Sequence, residues 1–123
     1  MRGLLLATLV LMAPLLGFGA ASGHAFLERA EPRVGSTVKT APTYVRVWFT
    51  ERLEPTFSAV EVLNERGERV DTGRAQWDEA SPDMLQVSLR SIGAGTYRVK
   101  WRVLSVDTHV TEGDFIFRVA HSP

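Results

Sequence analysis

Short stretches of alternating apolar and polar residues recur along most of the chain. The clearest covers residues 96–103, where the odd-numbered positions are apolar and most of the even-numbered ones are basic. A two-residue period is the pattern of a half-buried β-strand. The same alternation occurs in residues 44–49, 58–63, 85–89 and 115–119, and a turn at 64–67 leads into residues 68–70. Pro- and Gly-containing turns separate these stretches, which predicts an all-β Greek-key sandwich or barrel of about seven strands.

The first part of the chain does not follow this pattern and is typical of a Sec signal peptide. Arg2 is followed by an apolar run over residues 4–16 and then by small residues up to Gly23. We expect cleavage after Gly23, so that residues 1–23 are removed and residues 24–123 form one exported, periplasmic domain. The mature chain would then begin with His24.

Two alternatives for this segment are less favoured. Cleavage before Phe26 would also satisfy the small-residue rule, and it would remove His24. An uncleaved membrane anchor is disfavoured because Pro14, Gly17 and Gly19 interrupt a run shorter than the ~20 apolar residues that a transmembrane helix needs. No second run of this kind follows, so the processed protein should not span a membrane.

Composition narrows the classes of partner and of site. Lys+Arg and Asp+Glu both number 14, so the chain lacks the basic excess that binding to nucleic acid or to an anionic membrane surface requires. The chain has no cysteine. A metal site would therefore use nitrogen and oxygen ligands, and no disulfide can stabilise the fold.

Three residues at the two ends of the mature chain have ligand chemistry. Asp107 and His109 continue the core-facing row of the strand at 96–103, and on an extended chain their side chains would point the same way, about 6.6–7 Å apart. An amino-terminal His24 would add its α-amine and its imidazole. Three nitrogens and one oxygen suit tetragonal copper(II), although nickel(II) can use similar donors and zinc accepts them in a tetrahedron.

The same residues belong to longer motifs that resemble the CopC family of periplasmic copper-binding proteins. The motifs are His24-Ala25-Phe26-Leu27, Glu31-Pro32-Arg33-Val34-Gly35-Ser36, Val47-Trp48-Phe49-Thr50-Glu51-Arg52-Leu53, and the run from Ala94 to His109 with its Gly-Thr-Tyr and Ser-x-Asp-x-His elements. The resemblance covers nearly all of the mature chain. It implies a small Greek-key barrel of immunoglobulin or cupredoxin type.

The resemblance also implies a function and a site. Members of this family carry copper in export or uptake systems, often beside an inner-membrane CopD-type protein. Carried over to this chain, the copper(II) ligands are His24, Asp107 and His109, with Glu51 as an axial or outer ligand or else a solvated charge. Some members bind copper(I) through a methionine-rich segment, whereas Met84 is the only methionine after residue 23. We therefore expect no copper(I) site.

Other residues of the chain fit structural roles. Met84, Trp48 and Trp101 fit strand positions and are expected to pack, and His121 lies in the exposed tail. No nucleophile with an evident base occurs, so we expect no enzyme activity. Two alternatives stay open: a copper oxidase of the histidine-brace type that cleaves polysaccharides, and a metal-free immunoglobulin-like binding module.

Overall fold

The computed structural model describes residues 25–122, and within them the chain folds into eight strands and one short 3₁₀ turn. The predictions for His24 and for the signal peptide at 1–23 fall outside this range. In chain order the strands are β1 Leu27–Glu31, β2 Thr37–Val38, β3 Tyr44–Phe49, β4 Ala59–Leu63, β5 Gln76–Asp78, β6 Ser81–Ser88, β7 Gly95–Leu104 and β8 Val110–Val119. The 3₁₀ turn is Pro55–Phe57. No helix among residues 25–122 has the length and hydropathy that crossing a lipid bilayer requires.

The strands form two four-stranded sheets that pack face to face. One sheet has the order β1-β3-β6-β5 and the other the order β2-β8-β7-β4. Most neighbours are not consecutive in sequence, so the chain crosses repeatedly between the sheets. This arrangement confirms the predicted all-β sandwich.

The sequence pattern found the long strands and missed short ones. Residues 44–49 and 96–103 correspond to β3 and to most of β7, whereas β2 has only two residues, too few for a period to be seen. The predicted turn at 64–67 does return the chain along β4, because Val70 N–H donates to the Val62 carbonyl and Asn64 N–H to the Glu68 carbonyl. The segment 68–70 is shorter than a regular strand and forms one isolated bridge, Leu63 with Arg69.

The core lies between the sheets and is built from alternate positions of the long strands. In β3 and β6 the buried residues are Val45, Val47, Phe49, Leu85 and Val87, and in β7 and β8 they are Tyr97, Val99, Val103, Phe115, Phe117 and Val119. Apolar residues inside and polar residues outside specify the register, because a slip of one residue would turn the apolar set towards water.

Asp71 is a buried charge in this core. Its carboxylate accepts hydrogen bonds from the backbone N–H groups of Val62 and Gly73 and from the Arg69 guanidinium, at 2.7–3.2 Å. Burial raises the pKa of Asp71, but the bonds from Arg69, Val62 and Gly73 outweigh it, so the pKa lies below its ordinary value. Asp71 thus joins the end of the 64–70 hairpin to β4.

Asp71→Asn should destabilise the protein at neutral pH by about 2 kcal/mol, because it removes the charge of a buried carboxylate that accepts hydrogen bonds from Val62, Gly73 and the half-exposed Arg69. A lowered pKa stabilises the fold above the ordinary carboxyl pKa, and that contribution is lost as the pH falls through the folded-state value. The difference between wild type and variant should therefore shrink below about pH 4. Urea unfolding of both proteins at pH 7 and pH 3 measures this difference in the free energy of unfolding, and Glu79→Gln, at an exposed position, is the control. A difference that does not change with pH would contradict the role of the Asp71 charge.

Candidate metal centre

Strand β7 and strand β8 form a long antiparallel hairpin that determines the geometry of the candidate site. Ten residue pairs are in register, from Gly95 with Val119 to Leu104 with Val110. Trp101 lies opposite Gly113, and its ring makes an edge contact with Phe49 of the other sheet at 5.1 Å between centroids. A Cβ on Gly113 would come within 2.6 Å of the Trp101 ring, so only glycine fits there. The hairpin is thus fixed against the other sheet close to its turn.

The turn of this hairpin contains Asp107 and His109. Thr108 N–H donates to the Ser105 carbonyl at 2.8 Å, and Ser105 N–H donates to the His109 carbonyl at 3.0 Å. Thr108 has a φ of 73°. These features define a three-residue loop closed by a residue in the left-handed region. A β-branched residue is rarely found in that region, which costs about 1–2 kcal/mol.

The predicted extended geometry of this segment is therefore wrong, although its side chains do meet. The core-facing row holds through Ser105, which is fully buried, and β7 ends at Leu104. The chain then doubles back, and the Asp107 Oδ1 lies 3.8 Å from the His109 Nδ1. Both side chains are half exposed. The tight turn thus leaves the two side chains close enough to interact.

Ser105 stabilises this turn from the core side. Its hydroxyl donates to Asp107 Oδ1 at 2.6 Å and lies 3.4 Å from both the backbone N–H and the carbonyl of His109. The hydrogen bond from Ser105 lowers the pKa of Asp107, and the nearby His109 adds a smaller effect in the same direction. Asp107 is thus ionised and oriented at neutral pH. Sequence reasoning did not give Ser105 this role, although its position in the Ser-x-Asp-x-His motif was a signal.

The amino-terminal end of the described chain reaches the same end of the sandwich. Ala25 is fully buried, and its carbonyl accepts a hydrogen bond of 2.6 Å from the hydroxyl of Thr111, two residues after His109. Phe26 exchanges backbone and side-chain hydrogen bonds with Thr50 at the end of β3. His24 itself lies outside the described residues. The structure therefore places Asp107, His109 and the start of the described chain at the same end of the sandwich.

Glu51 belongs to a segment that borders the turn of the hairpin. It is half-buried and follows Thr50, and the next residue, Arg52, accepts a hydrogen bond through its carbonyl from Val106 N–H at 3.1 Å. Among residues 25–122 no hydrogen bond or ion pair joins Glu51 to Asp107 or His109. Its segment borders the turn, but its predicted part in the site stays a prediction.

The remaining candidates lie elsewhere. His121 is exposed and follows the far end of β8, roughly 30 Å along the strand from the turn. Met84 is half-buried in β6 and pairs with Trp48 of β3, whose ring stacks on the Arg29 guanidinium at 3.6 Å. Within residues 25–122 no group of three or more His, Cys, Asp or Glu side chains is close enough to hold a metal ion. Asp107 and His109 are thus a pair there.

Comparison with known proteins agrees with this architecture. Residues 27–120 match the model of the CopC domain. Protein YobA of Escherichia coli K12 is 35% identical over 97 residues, which cover 78% of either chain. The copper transport protein CutJ of Bacillus subtilis is 30% identical over 97 residues, but the chain spans only 18% of the length of CutJ.

Solved structures show the same fold. The CopC crystal structure from Methylosinus trichosporium OB3b superposes with a TM-score of 0.76 and 32% identity, covering 81% of this chain and 97% of that one. PcoC from Escherichia coli, described as a methionine-rich copper resistance protein, gives a TM-score of 0.65 and 31% identity over 78% and 98% of the two chains. A domain match along most of the described chain, together with these structures, shows that the protein belongs to the CopC family.

Proposed function

We propose that this protein is an exported, periplasmic copper(II)-binding protein that carries or buffers copper in copper homeostasis or resistance. Its ligands in this proposal are Asp107, His109, and the imidazole and α-amine of His24 after cleavage behind Gly23. The observation that supports it best is the convergence of Asp107, His109 and the start of the described chain at one end of the sandwich. Copper is the cargo of the protein, which has no catalytic role in this proposal.

The donor set fits a copper(II) ion. Metal bonds to imidazole nitrogen and carboxylate oxygen are about 2.0–2.2 Å long, so two donors up to roughly 4 Å apart can share one ion. The 3.8 Å between Asp107 Oδ1 and His109 Nδ1 lies within that limit. Nitrogen and carboxylate ligands without sulfur favour copper(II) over copper(I). The half exposure of both side chains leaves the ion accessible for exchange.

The names of two relatives support a role in copper handling. CutJ is called a copper transport protein, and a relative from Xanthomonas campestris pv. juglandis, 29% identical over 118 residues, is called copper resistance protein C. We propose that this chain, like those relatives, handles copper. An inner-membrane CopD-type protein is the partner that we propose for transfer of the ion.

We expect one tightly bound copper(II) and only weak binding of copper(I), because the described residues contain a single methionine, Met84, packed in a strand against Trp48. Soft thioether ligands are what copper(I) selects. Competition titrations of the correctly processed protein with copper(II), copper(I) and zinc measure both affinities. Met84→Leu should leave both unchanged. Strong copper(I) binding that is unchanged in Met84→Leu would contradict the ligand assignment.

The same sample tests whether copper(II) binds the folded protein in preference to the unfolded chain. Saturation with copper(II) should raise the free energy of unfolding by about 2.7 kcal/mol when free metal is 100 times the dissociation constant. Thermal unfolding with and without copper(II) measures this stabilisation. No binding at all would contradict the proposal and favour a metal-free binding module.

A further inference from the structure

We propose that Thr111 is the positioning residue for the amino-terminal copper ligands, with Thr50 as its counterpart in the opposite sheet. This inference rests on the proposed function, because it assigns to these threonines the task of fixing Ala25 and Phe26, the two residues that follow the proposed ligand His24. Neither threonine is expected to touch the metal. Their hydroxyl groups act on the backbone of the two residues that follow His24.

Hydrogen bonds from the two threonines fix the backbone of Ala25 and Phe26. Thr111 Oγ1 donates to the Ala25 carbonyl at 2.6 Å. Phe26 N–H donates to Thr50 Oγ1 at 3.0 Å, and Thr50 N–H donates to the Phe26 carbonyl at 2.9 Å. The Ala25 methyl is fully buried in the core. Two consecutive peptide groups are therefore fixed from two sides before β1 begins.

The two threonines belong to different sheets. Thr50 directly follows β3, whose Phe49 pairs with Leu27, and Thr111 is in β8, paired with Val103 of β7. The amino-terminal segment thus bridges the end of the sandwich. Because Thr111 is on the same strand that His109 leads into, the hydrogen bond to Ala25 ties the segment to the strand that also positions His109.

This placement has a physical consequence for binding. A chain terminus is usually poorly ordered, and ordering it on metal binding costs conformational entropy. Hydrogen bonds that already fix the segment reduce this cost, so affinity rises without any new contact to the ion. Further hydrogen bonds join Phe26 to Thr50. Because Thr111 links this segment to the strand that follows His109, removal of its hydroxyl group should weaken copper(II) binding.

The substitutions of Thr111 can separate positioning from packing. Thr111→Val keeps the branched shape and removes the hydroxyl, whereas Thr111→Ser keeps the hydroxyl. Thr96→Val is a matched control on the same hairpin, since Thr96 pairs with Arg118 at the opposite end of β7 and β8. The wild type and each variant are prepared with two starts, His24 and Gly23, so that the α-amine is present or replaced by an amide.

In the chain that starts at His24, Thr111→Val should lower copper(II) affinity about tenfold, which corresponds to about 1.4 kcal/mol, the size of one net hydrogen bond. Its visible and electron paramagnetic resonance spectra should shift, because the nitrogen donors move. Thr111→Ser should restore the affinity, and Thr96→Val should not change it. In the chain that starts at Gly23 the imidazole of His24 remains but the α-amine is lost, so Thr111→Val should lower the affinity by clearly less than in the His24 chain, and the two changes are coupled.

An equal loss in both backgrounds would show that Thr111 acts through the general stability of the hairpin, and it would overturn the positioning role. No loss in the His24 chain, with the Gly23 chain still weaker, would overturn it and leave the proposed function intact. Equal affinity of the His24 and Gly23 starts would overturn both together. If Thr111→Val fails to fold, Thr50→Val is measured with the same two starts. The same results then support or overturn the positioning role.

Discussion

A chain that begins at Gly23 should bind copper(II) on the order of a thousandfold more weakly than a chain that begins at His24, a difference of about 4 kcal/mol. The extra residue converts the α-amine of His24 into an amide, whose nitrogen must be deprotonated before it can bind a metal ion. The fold should be unchanged, because the core strands from Tyr44 to Val119 do not depend on the added residue. Side-by-side competition titrations and circular dichroism measure both quantities.

The pH dependence of the two chains provides the control. A free α-amine has a reference pKa of about 7.7–8 and must lose its proton to bind copper(II), so the affinity of the His24 chain should fall more steeply than that of the Gly23 chain as the pH drops below about 8. Asp107 should not contribute to this fall, because the hydrogen bond from Ser105 keeps its pKa below the ordinary carboxyl value. Equal affinities and equal pH profiles for both chains would remove the α-amine from the site.

His109→Ala should lower copper(II) affinity by at least about a hundredfold, since losses of 10–100-fold already follow from changing residues that only support a metal ligand. The substitution removes one nitrogen donor from the turn and leaves Asp107 with its Ser105 hydrogen bond. The visible and electron paramagnetic resonance spectra should move towards a weaker ligand field. Stability without metal should change little, because His109 is exposed.

His121→Ala is the matched control for this substitution. It removes the other histidine of the described chain, and this histidine lies beyond the far end of β8. Its affinity and spectra should equal those of the wild type. If His121→Ala changed the copper(II) spectrum and His109→Ala did not, the site would lie at the opposite end of the sandwich.

Much of the fold could be predicted from the sequence, because the long strands are half-buried. Burial of one face imposes an alternation that remains visible in residues 44–49 and 96–103, and the register of β7 with β8 follows the same alternation. Strands such as β2 and β5 could not be found in this way. Each is only two or three residues long, too short for a two-residue period to be seen, and the pairing partner of β2 is also distant in sequence.

The candidate site was identified in part for the same reason. Ligand-type residues stood at the end of a core-facing row, so Asp107 and His109 were recognisable from spacing and from the Ser-x-Asp-x-His motif. The tight turn that contains them could not be predicted from the sequence. Thr108 adopts a left-handed conformation that its residue type disfavours, and hydrogen bonds between Ser105 and His109 impose it.

The sequence by itself determined the fold class, the family motifs and the residue types that can bind copper, because periodicity and donor chemistry are local properties of a chain. Only the tertiary structure decided that Thr111 and Thr50 hold Ala25 and Phe26. The Thr111 hydroxyl meets a carbonyl 86 positions away. No local pattern encodes such a contact, since it exists only after the two sheets have packed and brought the end of β3 beside the start of β8.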